Sequence, residues 1–532
     1  MENPVTSLRS WGWLLGVTLV LRLVLGWYLP VSPDEAYYWV WAHAPATGYL
    51  DHPPMVALWI RAGCALFGDG GAGIRWIGTM AAMAAIPFLA QAIRDFHAPS
   101  PEAVEGAARA GVIRGVALLQ ATLAMGVNAV VMTPDTPLLF FTTLMLWAVG
   151  RLMATGHARW WPVCGAMLGL AFDSKYTAVL PGAGIVAWLL LHRAGRAWLR
   201  RPAPWAGALV AVAVISPVIW WNATHHWASL LRQGGRVGDW HAGRALGFLG
   251  ELVGGQVGLA TPGIFVLFLA GVMLVARNAR RVPAQGVLLW MIVVPTAVFV
   301  THALGDRVQA NWPVILYPLL AVAAAQLTWK GWKPAVALGG VLCALVFIQA
   351  AFEPLSLSAH TDVMLRQVGG WPGLADEVEG RAMPGDFVTA CDYGTASELA
   401  LYLPRRAVVG MEPRWALFNL PHGIRGEGLM LCNPRRTFDR RYFATVEPVG
   451  SITRHGRVRD AERLDIYRVR MNDPVPPDLL PDIAILSRDL TAVTQASGPQ
   501  GRTQAAPSAP SCGTACSAPE GPDDGPGGPD RH

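Results

Sequence analysis

Ser32-Pro33-Asp34-Glu35-Ala36-Tyr37-Tyr38-Trp39 follows directly on the first long apolar run of the chain, which begins near Trp11. Its two carboxylates stand where a membrane span would end. Ionised groups are expensive beside lipid and are kept there for a purpose, so the octapeptide points to chemistry at a membrane surface. The composition agrees: of 532 residues, 53% are hydrophobic and 15% charged, where soluble domains carry about 25% charge. The chain reads as a polytopic α-helical membrane protein.

Runs long enough to cross, at about 20 residues each, begin near Trp11, Ile74, Gly111, Leu138, Trp161, Thr177, Pro204, Pro262, Ala284, Trp312 and Pro334, giving about eleven spans. Pro162 to Phe172 is short for a span, and Leu246 to Leu259 reads equally as a surface segment. The N-terminus lacks the basic region of a cleavable signal, so the first run is expected to remain as an anchor. Short cytoplasmic loops carry excess Lys and Arg. Three clusters do so: Arg193, Arg196, Arg200 and Arg201; Arg277, Arg280 and Arg281; Lys330 and Lys333. Even numbers of crossings separate them, so all three face the cytoplasm. The count then puts residues 31–73 outside, provided Met55 to Phe67 is a surface or re-entrant helix, which Arg61 in its middle favours. Thr133 to Pro137, Ser174 to Tyr176, Asn222 to Arg244 and everything beyond Phe352 also fall outside.

Three regions follow. Residues 1–352 form the transmembrane domain, with loop 31–73 carrying the chemistry. Residues 353–473 are charged and mixed, as in a small extracytoplasmic α/β domain, with strands at Phe387 to Ala390 and Ala407 to Gly410 flanking a helix at Ala396 to Leu403. Residues 474–532 are rich in Pro, Gly and Ser and are expected to be disordered. Cys391 and Cys432 pair if the compartment is oxidising and the fold brings them close; Cys512 and Cys516 are too few for a zinc site. The net charge of +6 reflects topology and lipid contact, not nucleic acid.

Each candidate residue has a plain alternative. Ser32 with Glu35 makes a capping box and Pro33 suits the first helical position, so Asp34 and Glu35 also read as helix starters. Asp135, before Thr136-Pro137, reads the same way. Arg22 within the first apolar run either snorkels or meets an anion, and Arg75 reads as an interfacial anchor or a ligand. Convergence argues for function: Asp34, Glu35, Asp51, His52, Asp135 and Lys175 all fall on the outer face near span ends, and independent caps have no need to share a side.

Asp34-Glu35, then Gly48-Tyr49-Leu50-Asp51-His52-Pro53-Pro54-Met55, Thr133-Pro134-Asp135 and Ser174-Lys175-Tyr176 together resemble the motif series of bacterial glycosyltransferases of the protein O-mannosyltransferase superfamily. That group includes the aminoarabinose transferases of lipid A and the polyprenyl-phosphate-dependent uronosyl transferases of lipopolysaccharide core. The resemblance covers roughly residues 1 to 350 and implies the membrane GT-C fold. It further implies a cavity at the outer face of the bacterial inner membrane, where a sugar passes from a polyprenyl-phosphate donor to lipopolysaccharide core, lipid A or another envelope glycan.

The residues fit such a reaction. A polyprenyl phosphate is already a good leaving group, so its phosphate needs cations more than acid; Lys175, His52, Arg22 and Arg75 are the candidates. The acceptor hydroxyl needs a base, which by family analogy is Asp34, with Glu35 orienting it and Asp135 orienting the acceptor. Asp34 and Asp135 are also the candidate ligands of a divalent metal, the one cofactor considered. Asp51, Tyr37 and Tyr38 are placed with the acceptor or as orienting groups. Asp51-His52 stands where aminoarabinose relatives carry Glu-Lys, and the imidazole in place of lysine argues against aminoarabinose. A protein O-mannosyltransferase-like acceptor is the alternative within the class. A secondary transporter is the alternative outside it, although transporters gather ionisable groups near the midplane.

Overall fold

The protein is described from a computed structural model over residues 4–97, 104–235, 242–421 and 424–473; the tail expected to be disordered, 474–532, lies outside them. Every one of the expected apolar runs falls on a helix. Among the described residues five helices, Gly71–Phe96, Asp135–Thr155, Pro202–Thr224, Pro283–Ala303 and Trp332–Phe352, are long and apolar enough to cross a bilayer alone, and three bent pairs raise the number to eight if each is one span. The expected eleven is reached only with the shorter Val104–Gln120, Trp160–Phe172 and Trp312–Ala324. At 1.5 Å per residue even the first of these reaches only about 26 Å of a roughly 30 Å hydrocarbon layer.

The bends position the site. Gly12–Tyr28 meets Pro33–His43 at 85°, so the carboxylate-bearing helix lies across the end of the first long helix. Ala245–Ala260 meets Pro262–Asn278 at 105°, turning at Thr261, whose φ is 73°.

Beyond Phe352 the chain forms a five-stranded sheet in the order β2-β1-β3-β5-β4, with β1 Phe387–Ala390, β2 Val408–Gly410, β3 Glu427–Cys432, β4 Phe443–His455 and β5 Asp460–Met471. β1 pairs in parallel with β2 and β3, and β5 pairs antiparallel with β3 and β4. The crossover from β1 to β2 is the helix Tyr393–Tyr402, started by Asp392, whose Oδ1 accepts from Thr395 N at 2.9 Å. The expected second strand begins one residue late, at Val408. Cys391 and Cys432 are joined as a disulfide between the ends of β1 and β3.

The sheet is not a separate appendage. Val31, Ala36, Trp39 and Ile60 share one hydrophobic core with Leu374, Val388, Leu399 and Trp415. Helix Pro33–His43 packs on helix Tyr393–Tyr402 so closely that a Cβ at Gly394 would stand 2.9 Å from Pro33 Cβ. Burial of a common apolar surface thus fixes the sheet as a roof over loop 31–73.

Candidate functional site

Glu35 fixes the loop that carries the site. Its side chain is fully buried. Oε1 accepts from Arg75 Nε at 2.6 Å and Met132 N at 2.9 Å; Oε2 accepts from Arg75 Nη2 at 2.6 Å, Ser32 N at 3.1 Å and Ser32 Oγ at 2.9 Å. Arg75 also donates to the carbonyls of Gly26, Leu29 and Pro30, at and just past the end of the first helix, where carbonyls lack helical partners. Ion pair, capping contacts and helix end form one satisfied network that joins helices Pro4–Tyr28, Pro33–His43 and Gly71–Phe96.

This network aims Asp34, the neighbouring residue, into a cavity of about 640 Å³. Asp51, His52, Asp135, Lys175, Tyr37 and Tyr38 line the same cavity, as do Arg232, Gln233, Asn311, Tyr393 and Arg414. Its walls therefore come from loop 31–73, from the cavity ends of five helices, and from the sheet domain. The basic loops lie at the other helix ends: Pro202–Thr224 starts after Arg200 and Arg201, and Pro283–Ala303 starts after Arg280 and Arg281 and ends at His302 in the cavity wall.

The three cavity aspartates differ in their partners. Asp135, 4% exposed at its side chain, accepts from Lys175 Nζ at 2.8 and 3.0 Å and from Asn311 Nδ2 at 2.8 Å. Asp51 accepts from Arg232 Nε at 2.7 Å, Arg414 Nη1 at 3.1 Å and Tyr37 Oη at 3.0 Å. Asp34 makes no ion pair among the described residues; it accepts a bond from Tyr393 Oη at 2.9 Å. Its side chain is open to the cavity but walled by protein, and that loss of bulk water raises its pKa above the ordinary carboxylate value, with the Tyr393 bond pulling it back and Glu35 and Asp51 adding to the rise. Burial likewise lifts the Tyr393 phenol, which keeps it a hydrogen-bond donor. Arg414 stacks over Tyr393, 4.1 Å from the ring centroid, and is held by Glu412 at 2.6 Å.

The geometry keeps Glu35 as an orienting residue and withdraws Arg75 and Arg22 from the donor phosphate. Glu35 and Arg75 do not line the cavity; they are spent on each other and on backbone, as positioning residues. Arg22 is buried away from the cavity and donates to Gln120 Oε1 at 2.8 Å, a neutral partner in place of lipid phosphate. Lys175 lines the cavity, but Asp135 offsets its charge. The expected metal pair does not form a donor set: both Asp135 oxygens face an ammonium group, Asp34 faces a hydroxyl, and no group of three His, Cys, Asp or Glu is arranged around a common point among the described residues.

The sequence reading missed Arg232, Gln233, Asn311, Tyr393 and Arg414. Tyr393 lay between an expected strand and an expected helix of the outer domain, and Arg232 in a loop already placed on the same side as the carboxylates. Nothing local marks Arg414, which reaches the site because the turn Pro413–Leu417 follows β2 at the sheet edge. Glu398 is buried on helix Tyr393–Tyr402 without a hydrogen-bond partner among the described residues, and burial pushes its carboxyl well above the usual range, with nearby Glu35 adding to the rise.

Comparison with known proteins places this architecture. Residues 51–221 match the family model described as dolichyl-phosphate-mannose-protein mannosyltransferase. The chain is 28% identical over 423 residues to lipid A galacturonosyltransferase RgtD of Rhizobium johnstonii, covering 75% of this chain and 85% of that protein. The crystal structure of ArnT from Cupriavidus metallidurans superposes with a TM-score of 0.60 at 15% identity, covering 87% of this chain and 98% of ArnT. Its complex with undecaprenyl phosphate gives 0.58 at 14% identity, over 86% and 98%.

Proposed function

We propose that this chain, a membrane glycosyltransferase of the GT-C fold, moves a uronic acid from a polyprenyl-phosphate donor to lipid A or a related envelope glycan. The observation that carries the reading is Asp34, the one cavity aspartate without an ion pair among the described residues, in a cavity also lined by cationic Arg232 and Lys175.

In the proposed reaction an acceptor hydroxyl oxygen attacks the anomeric carbon and the bond from that carbon to the phosphate oxygen breaks. Polyprenyl phosphate departs with the electron pair, and Asp34 takes the hydroxyl proton. Arg232 engages Asp51 through Nε, which leaves its two terminal nitrogens for the phosphate in the bidentate geometry that guanidinium favours; Lys175 adds a donor. Val179, Leu180, Val298 and Phe299 form an apolar side of the cavity, and Val179, Val186 and Leu190 continue it as an exposed apolar face suited to an isoprenoid chain. ArnT, of the same fold, binds undecaprenyl phosphate. The relative that acts on lipid A transfers galacturonate, and Arg414 in the cavity wall supplies a cation for a sugar carboxylate. Transfer at the outer face of the bacterial inner membrane is supported by the cavity's place opposite the basic loops and by the Cys391–Cys432 disulfide, which suits an oxidising compartment.

The test is transfer by the purified chain in nanodiscs from synthetic polyprenyl-phosphate galacturonate, mannose or aminoarabinose, with lipid A or a serine peptide as acceptor, read by mass spectrometry. Galacturonate on lipid A is the expected product; mannose on peptide would replace the acceptor reading, and no product from any donor would end the donor assignment. Asp34→Asn keeps shape and capping ability but cannot take the proton, so transfer is lost with insertion intact.

A further inference from the structure

The far edge of the sheet meets the membrane-spanning helices away from the cavity. The tip between β4 and β5 carries Arg457, Val458 and Arg459, all exposed. Arg457 Nη2 donates to Tyr28 Oη at 2.9 Å, and Val458 N donates to Glu353 Oε2 at 3.0 Å. Tyr28 and Glu353 stand at the cavity-side ends of the first and last long helices, and the rings of Tyr28 and Phe352 lie 6.3 Å apart. Glu353 caps the last long helix in the left-handed conformation, at φ 50°.

Lipid-facing surface runs up to this point without a break. Val20, Val24 and Trp27 on the first helix and Leu345, Ile348 and Phe352 on the last are exposed apolar residues, and Leu355, Leu357 and Val458, 39–57% exposed, continue them past the helix ends. An exposed apolar patch bordered by cations is the pattern of a surface lying in a bilayer interface. Arg457 and Arg459 make no ion pair among the described residues; of the carboxylates beside them, Asp460 is paired with His455 at 2.7 Å and Glu353 accepts from Val458 N. A cleft of about 110 Å³ lined by Tyr28, Glu353, Gly456 and Arg457 opens at the same place.

We propose that the β4–β5 tip is a membrane-interface anchor that takes the phosphate headgroups of anionic phospholipids, with Val458 among the upper acyl carbons and Arg457 and Arg459 on the phosphates. The anchor holds the β4 edge of the sheet, while the β2 edge leads into the turn that carries Arg414 to the cavity. Headgroup binding therefore steadies the roof over the site. This holds whichever sugar is moved.

The test is hydrogen–deuterium exchange of the full chain in nanodiscs of phosphatidylcholine alone or with phosphatidylglycerol, free of lipid A. The amides of residues 455–460 are expected to exchange at least threefold more slowly with phosphatidylglycerol. The double change Arg457→Gln, Arg459→Gln should abolish that difference. Arg457→Lys with Arg459→Lys should keep it, since a headgroup phosphate accepts either cation, and this pair also controls for folding. Equal exchange in the two lipids, or a lipid difference that survives both glutamines, would overturn the proposal.

Discussion

Lys175→Met removes the ammonium group from a pair that is 6% and 4% exposed, leaving the Asp135 carboxylate with one remaining bond, from Asn311. Stranding one member of a buried ion pair costs about 3–5 kcal/mol, and the Asn311 bond places the expected loss near the lower end of that range. Adding Asp135→Asn removes the stranded charge, so the double variant should regain most of the stability; non-additivity of this kind measures the coupling directly. Transfer should behave differently. If Lys175 also donates to the donor phosphate, that charged hydrogen bond contributes about 1.5–3 kcal/mol, which is roughly a 10- to 150-fold loss of kcat/KM. The double variant would not regain it. The assay is thermal unfolding in detergent alongside transfer at varied donor concentration. Wild-type unfolding in Lys175→Met would refute the buried-pair reasoning, and full recovery of kcat/KM with stability in the double variant would remove Lys175 from the phosphate.

Three further outcomes are expected. Transfer should rise with pH across an apparent pKa above the ordinary carboxylate range, because Asp34 is raised by burial and acts only when ionised; Tyr393→Phe deletes the bond that favours the ionised form, so the rising limb should move to higher pH, and an unmoved limb in the pH–rate profile would separate Tyr393 from the base. In intact cells a cysteine at Arg436 should react with a membrane-impermeant thiol reagent while one at Arg200 should not; the opposite pattern would reverse the sidedness. Cys391→Ser should weaken the sheet domain by about 4 kcal/mol on a chain-entropy estimate for the bridged separation of 41 residues, seen as faster proteolysis within residues 387–432, and unchanged proteolysis would count against it.

Much of this protein is legible in the chain alone. Membrane residence follows from long apolar runs, because backbone in lipid must satisfy its own hydrogen bonds as helix, and runs of that length have few other homes. Lys and Arg at loops indicate sidedness for a similarly local reason. Ser32, Pro33 and Glu35 announce a helix start because caps act within one turn, and the strand–helix–strand around Tyr393 shows in its local pattern. What Glu35 does with its charge is not local. It meets Arg75, 40 residues on, and only packing decides that this pair braces the loop while Asp34, one residue earlier, faces the cavity. The same holds for Lys175 and Asp135, whose mutual neutralisation requires two helix ends to converge, and for Arg414, which reaches the site from a sheet that shares a hydrophobic core with loop 31–73. The sequence by itself determined which residues are costly to keep in a membrane; tertiary structure decided which of them offset one another and which was left free to react, because charge pairing is a property of distance in space and not of spacing along the chain.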